Sequence, residues 1–120
     1  MSEPLRIILP WPPSTNKIWR IFKNRIILSA VGKEYRKQVC VRIMVAGLHR
    51  NPPIVDPISV ALFAYPPDRR KHDVDNLLKA PLDALTKAGI WADDSQIVRL
   101  QITRMPVDGS ARIIIQINNA

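Results

Sequence analysis

Proline sets the limits on this chain. Eleven of its 120 residues are Pro and only four are Gly. A proline has no backbone N–H for a sheet or a helix interior, so regular elements must fit between the prolines. Leu5, Ile7 and Leu9 alternate with Arg6 and Ile8 in a first strand, which Pro10-Trp11-Pro12-Pro13 ends. Residues 14–28 read as a polar, basic loop or irregular hairpin, with a short strand over Arg25 to Leu28. Ser29 is placed to cap a helix from Ala30 to about Leu48. Val31, Tyr35, Val39, Ile43 and Ala46 recur there at helical spacing, opposite Lys33, Arg36, Lys37, Arg42 and Arg50. After Pro52-Pro53, Ile58, Val60, Leu62 and Ala64 share one side of a strand that stops at Pro66-Pro67. A second helix is expected from about Asp75 to Ala88, with Leu77, Leu78, Leu82 and Leu85 inward and Gly89 ending it. Pro81 falls inside that helix and should delay or kink it. Val98, Leu100 and Ile102 mark another strand, Val107 to Ser110 a turn, and Arg112 to Ile117 the last strand. These elements give an α+β class: one small domain over residues 1–120, a mixed four- to five-stranded sheet and two main helices packed on it.

Composition narrows the setting. The chain is 47% hydrophobic and 23% charged, which is globular rather than disordered. Its length suffices for a core without disulfides. The longest apolar runs, such as Ile7 to Leu9 and Ile113 to Ile115, fall far short of a membrane span. Glu3, Pro4 and the stop at Pro10 give no signal-peptide pattern. A lone Cys40 excludes an internal disulfide and fits a reducing, cytoplasmic setting; it is expected buried in the first helix as a small apolar group. The net charge of +8 is uneven. Residues 1–50 carry ten Lys and Arg against Glu3 and Glu34, while residues 51–120 carry eight of each sign. A basic half points to a polyanion, most often nucleic acid; a solvated basic surface is the plainer alternative.

Several chemistries lack parts. There is no glycine-rich phosphate loop, only two histidines (His49 and His72), and no serine in a nucleophile elbow. What remains is the run Asp68-Arg69-Arg70-Lys71-His72-Asp73-Val74-Asp75-Asn76-Leu77-Leu78-Lys79, followed by Trp91-Ala92-Asp93-Asp94. In an extended segment Asp73 and Asp75 point the same way. Lys79 comes one helical turn after Asp75. Two carboxylates about 4 Å apart repel by about 4 kcal/mol at an effective dielectric of about 20, which a hard cation between them would relieve. Mg²⁺ suits such oxygen donors, activates water and stabilises charge on a phosphate. Each piece also has a plainer reading: helix cap, surface ion pair, turn, solvated loop. Their joint occurrence beside Arg69, Arg70 and Lys71 favours phosphodiester chemistry. Trp11 and Trp19, among Lys17, Arg20, Lys23 and Arg25, suit nucleic-acid contact, with the core as the alternative home for each ring.

At these residues the sequence resembles the RusA family of Holliday junction resolvases, encoded largely by phages and prophages. The likeness is carried by Arg70 to Lys79 and by Leu82-Asp83-Ala84-Leu85-Thr86-Lys87-Ala88-Gly89-Ile90-Trp91-Ala92-Asp93-Asp94-Ser95-Gln96-Ile97-Val98. Pro10 to Lys17 and Met105-Pro106 add to it, so it extends from about Ile7 to Ile117. The resemblance implies a small homodimeric endonuclease, dependent on Mg²⁺ with Mn²⁺ as a substitute, that cuts four-way DNA junctions with paired symmetric nicks in recombination and repair. It implies Asp73, Asp75 and Asp94 as metal-holding catalytic residues and Lys79 as a catalytic lysine. The basic residues Arg69, Arg70, Lys71, Lys17, Arg20, Lys23 and Arg25 are expected to bind DNA. The alternative is a non-catalytic basic DNA-binding module whose acids are structural.

Overall fold

A computed structural model describes residues 4–14 and 19–120. Among the described residues the strands are β1 (Leu5–Pro10), β2 (Trp19–Phe22), β3 (Arg25–Leu28), β4 (Ile58–Tyr65), β5 (Ile97–Arg104) and β6 (Arg112–Asn119). The helices are α1 (Ala30–Val45), between β3 and β4, and α2 (Lys79–Lys87), between β4 and β5. Short 3₁₀ turns stand at Leu48–Arg50, Val74–Leu77 and Asp94–Gln96. The class is α+β, as the sequence predicts: a mixed four-stranded sheet in the order β1-β6-β4-β5, with β2 and β3 as a separate hairpin. β6 runs antiparallel to both its neighbours, whereas β4 and β5 are parallel. Parallel neighbours need a crossover, and the segment containing α2 supplies it.

Alternation explains the core. Ile7, Ile115, Leu62 and Ile102 stand opposite one another in register across all four strands. The inward residues of β1, β4 and β6 are buried. Tyr35, Val39 and Ile43 of α1, spaced by four residues, join the same core as Ala80, Ala84 and Leu85 of α2. Ser29 caps α1 as expected, its Oγ accepting from the Gly32 N–H at 3.1 Å. The Tyr35 hydroxyl donates to the Pro10 carbonyl at 2.8 Å, tying α1 to the end of β1. Burial pushes the Tyr35 phenol well above its ordinary pKa, with the Arg42 charge pulling the other way.

Four expectations need correction. Cys40 is exposed: adjacent helical residues lie about 100° apart, so the stripe that buries Val39 turns Cys40 outward. Val31 and Ala46, at the two ends of α1, are exposed as well, and Gly32 takes an inward place. Arg36 does not lie on a solvent face; its Nε and Nη2 donate to Asp83 Oδ2 at 2.7 and 2.6 Å, joining α1 to α2. Val98 and Leu100 are 63% and 44% exposed: the ladder shifts between Ile58 and Ser59, pairing Ile58 with Ile97 and passing over Val98, and Leu100 lies on the edge strand.

The second helix also starts later than the leucine pattern suggests. α2 opens at Lys79, and its first backbone bond runs from Leu82 N to Leu78 O at 3.2 Å. Pro81 therefore sits in the first turn, where no intrahelical partner awaits its missing N–H. At the other end Gly89, at φ +83°, sends its N–H to Thr86 O, and Ile90 sends its own to Leu85 O, each at 3.1 Å. This is the Schellman reversal that a left-handed glycine permits. Pro81→Ala should change stability by no more than about 1 kcal/mol, read from urea unfolding. Stabilisation near the roughly 3 kcal/mol of a helix-interior proline would contradict this placement.

Candidate active site

The acids expected to act together lie on either side of α2. Asp73 has extended backbone just before the Val74–Leu77 turn, its carbonyl accepting from the Asn76 N–H at 3.1 Å. Its side chain makes no capping bond, so the cap reading does not describe it. Asp75 lies within the turn, and both acids are exposed. Because that turn is not α-helical, Asp75 and Lys79 do not share a regular helical face. Lys79 is exposed at the first position of α2. The turn packs against β5.

Asp94 lies beyond α2, in the short turn that leads into β5. Its neighbour Asp93 is a capping residue: its side chain accepts a backbone bond from the turn, and its own N–H donates to Gln96 Oε1 at 2.8 Å. Asp94 has different partners. The reversal at Gly89 brings Trp91, fully buried, back beside Thr86. Trp91 Nε1 donates to Thr86 Oγ1 at 2.6 Å and to Asp94 Oδ1 at 3.1 Å. The Thr86 hydroxyl stands between Asp94 Oδ1 and the Leu82 carbonyl, and its one proton favours the charged acceptor. Both contacts meet Asp94 at Oδ1. The turn itself is pinned by Gln96 Nε2 on the carbonyls of Ile54 and Asp56, at 2.7 and 3.0 Å. Sequence spacing gave no reason to single out Thr86, which meets Asp94 only through the reversal.

The basic loop after β4 is ordered by Asp68. Its Oδ1 accepts from the Arg70 N–H at 3.0 Å and lies 2.9 Å from His72 Nε2. The Arg70 N–H, then the His72 contact, hold the Asp68 carboxyl below its usual pKa. His72 meets Trp11 edge-on, with ring centroids 5.3 Å apart. Trp11 of the Pro10–Lys17 signature is thus brought against the residue preceding Asp73. Arg69, Arg70 and Lys71 are exposed. Arg20, Lys23 and Arg25 are exposed on the β2–β3 hairpin, where Arg20 and Lys23 flank the Phe22 ring at 5.6 and 5.4 Å. Lys17 lies outside the described residues, as do Thr15, Asn16 and the Trp19 side chain.

Asp73, Asp75 and Asp94 offer hard carboxylate oxygens of the kind Mg²⁺ takes. Among the described residues, however, no three His, Cys, Asp or Glu side chains form a metal-holding group. One or two carboxylates completed by phosphate oxygens and water satisfy Mg²⁺, so the donor set fits that ion without a closed protein cage.

Two outcomes follow from this geometry. Thr86→Val keeps the side-chain shape but removes the hydroxyl, and should cost about 1–2 kcal/mol in urea unfolding, with Thr86→Ser close to the parent. Equal stability of all three proteins would show that the Thr86–Asp94 contact is idle. In an acid titration, the Asp68 contribution is fully present above the ordinary carboxylate pKa and is lost as pH falls through the depressed folded value. The Arg70 amide resonance should therefore move with a midpoint below about 3.9; a midpoint at or above that would contradict the bond.

Comparison with known proteins places the chain. The family model described as endodeoxyribonuclease RusA matches residues 10–118. Crossover junction endodeoxyribonucleases RusA from Escherichia coli K12 and from Enterobacteria phage 82 are each 43% identical to it over 107 residues, covering 89% of this chain and 88% of theirs. The one from Escherichia coli O139:H28 is 40% identical over the same share. The chain therefore belongs to the RusA endodeoxyribonuclease family.

Proposed function

We propose that this chain is a Mg²⁺-dependent, structure-selective endodeoxyribonuclease that resolves four-way DNA junctions by paired symmetric nicks. It acts as a cytoplasmic homodimer in DNA recombination and repair. The similarity to crossover junction endodeoxyribonucleases over 89% of the chain carries the reading. In this proposal Asp73, Asp75 and Asp94 hold the cation. Bound there, it would make a water acidic enough to attack and would neutralise charge on the scissile phosphate. Thr86 and Trp91 aim Asp94 through its Oδ1. Lys79 supplies positive charge for the leaving oxygen. Arg69, Arg70 and Lys71, with Lys17, Arg20, Lys23 and Arg25, hold the phosphate backbone. A two-fold dimer carries two such centres, matching a substrate in which two strands are cut.

Asp75→Asn should lower nicking of a synthetic four-way junction in Mg²⁺ by about 100-fold or more, while junction binding is kept. Nicking at the parent rate would overturn the site assignment. A flap and a linear duplex, at the same salt, test the selectivity.

The second reading, a non-catalytic DNA-binding module, draws on the lack of a three-acid group among the described residues. It predicts binding without cleavage in Mg²⁺ or Mn²⁺ and an unchanged melting temperature on adding either. The nuclease reading predicts a rise, because a cation held by the folded chain stabilises it.

A further inference from the structure

We propose that Arg104 completes a phosphate-binding cleft with Arg69, Arg70 and Lys71, and that its ligand is a DNA backbone phosphate away from the bond that is cut. The identity of the ligand rests on the nuclease reading above; the cleft is argued from its own geometry.

Two segments far apart in sequence build it. β4 and β5 are parallel, with Ala64 opposite Arg104, so the chain leaves both strands at the same end of the sheet. The Met105 N–H donates to the Ala64 carbonyl at 2.7 Å, fixing the backbone next to Arg104. Pro66 and Pro106 then lie on the two exits, and a proline cannot extend the ladder. The exits diverge around a cleft of about 270 Å³, whose walls include Arg69, Arg70, Lys71 and Arg104.

Its charge is one-sided. Four cations face one carboxylate, Asp68. That carboxylate is already engaged by the Arg70 N–H, by His72 and, at 3.4 Å, by Arg70 Nε. It orders the loop rather than neutralising the other side chains. Like charges gathered in a concave site repel one another and favour an anion between them. Planar guanidinium forks match phosphate oxygens in pairs. The cleft is formed mainly by exposed side chains, as suits a group on a long polymer. Lys71 precedes Asp73 by two residues, so their Cα atoms lie within about 7 Å. Successive phosphates on a duplex strand advance by about 3.4 Å along the axis. One strand can therefore engage Asp73 and the cleft a few nucleotides apart.

The test uses the intact protein and four-way junctions carrying a single methylphosphonate, which is uncharged, walked along one strand through the branch point. Arg104→Gln should weaken junction binding by about tenfold and lower the salt dependence by about one phosphate contact, with Arg104→Lys close to the parent. At one position the methylphosphonate should weaken the parent protein but not Arg104→Gln. Parent-like affinity of Arg104→Gln, or equal sensitivity of both proteins at every position, overturns the proposal. So does micromolar saturation of the Arg104 Nε–H resonance by inorganic phosphate alone, which would mark a small-anion site. A parent protein that binds junctions and shows the Arg104-dependent step, yet nicks nothing in Mg²⁺ or Mn²⁺, sinks the nuclease reading and leaves the cleft standing.

Discussion

Pro81 governs where α2 can begin. A proline is harmless in the first helical turn and costly beyond it, so the helix cannot extend back to Asp75 without misplacing the ring. The chain accordingly starts α2 at Lys79 and leaves Val74–Leu77 as a 3₁₀ turn. Two acids thereby stay out of the helix, on exposed backbone. Gly89 fixes the other boundary by reversing the chain. Between the two limits α2 is nine residues long. In the chain that short rod comes between Asp73 and Asp75 on one side and Asp94 on the other, and its Ala80, Ala84 and Leu85 lock it into the core.

The sheet adds a second ordering. β4 and β5 are parallel, so the loop that follows β4 and the chain that follows β5 emerge at one end, whereas Asp94 precedes β5 at the other. Seven residue steps along β5, at about 3.3 Å each, separate Ile97 from Arg104, or roughly 23 Å. Positive charge thus collects at one end of the strand pair and the Trp91–Thr86–Asp94 contacts at the other. An extended polyanion along this edge meets both, which a small ligand would not.

Much of the fold was legible because period-two alternation is unambiguous where one face is buried. Ile7, Leu9, Ile58, Val60, Leu62 and Ala64 all fall inward. The same rule misled at β5, where a register shift sets Ile97 rather than Val98 opposite Ile58 and the edge position leaves Leu100 exposed. Helical spacing found Tyr35, Val39 and Ile43, yet could not place Cys40, since a one-residue step decides between core and surface. At the site, residue types and order were readable. The division of labour within Asp93-Asp94 was not, because it depends on Gln96 closing a capping box on the first acid and on a buried indole reaching the second. Arg104 was silent for a similar reason: only strand register brings it to the basic loop.

Trp91 has a further consequence. Its ring is wholly enclosed, while its one polar atom touches a carboxylate that faces outward. An indole so placed is an internal fluorophore wired to a single ionisable oxygen. Any event that changes the electric field at Asp94, whether protonation or the arrival of a cation, should shift its emission without a label. The protein carries its own optical probe of Asp94.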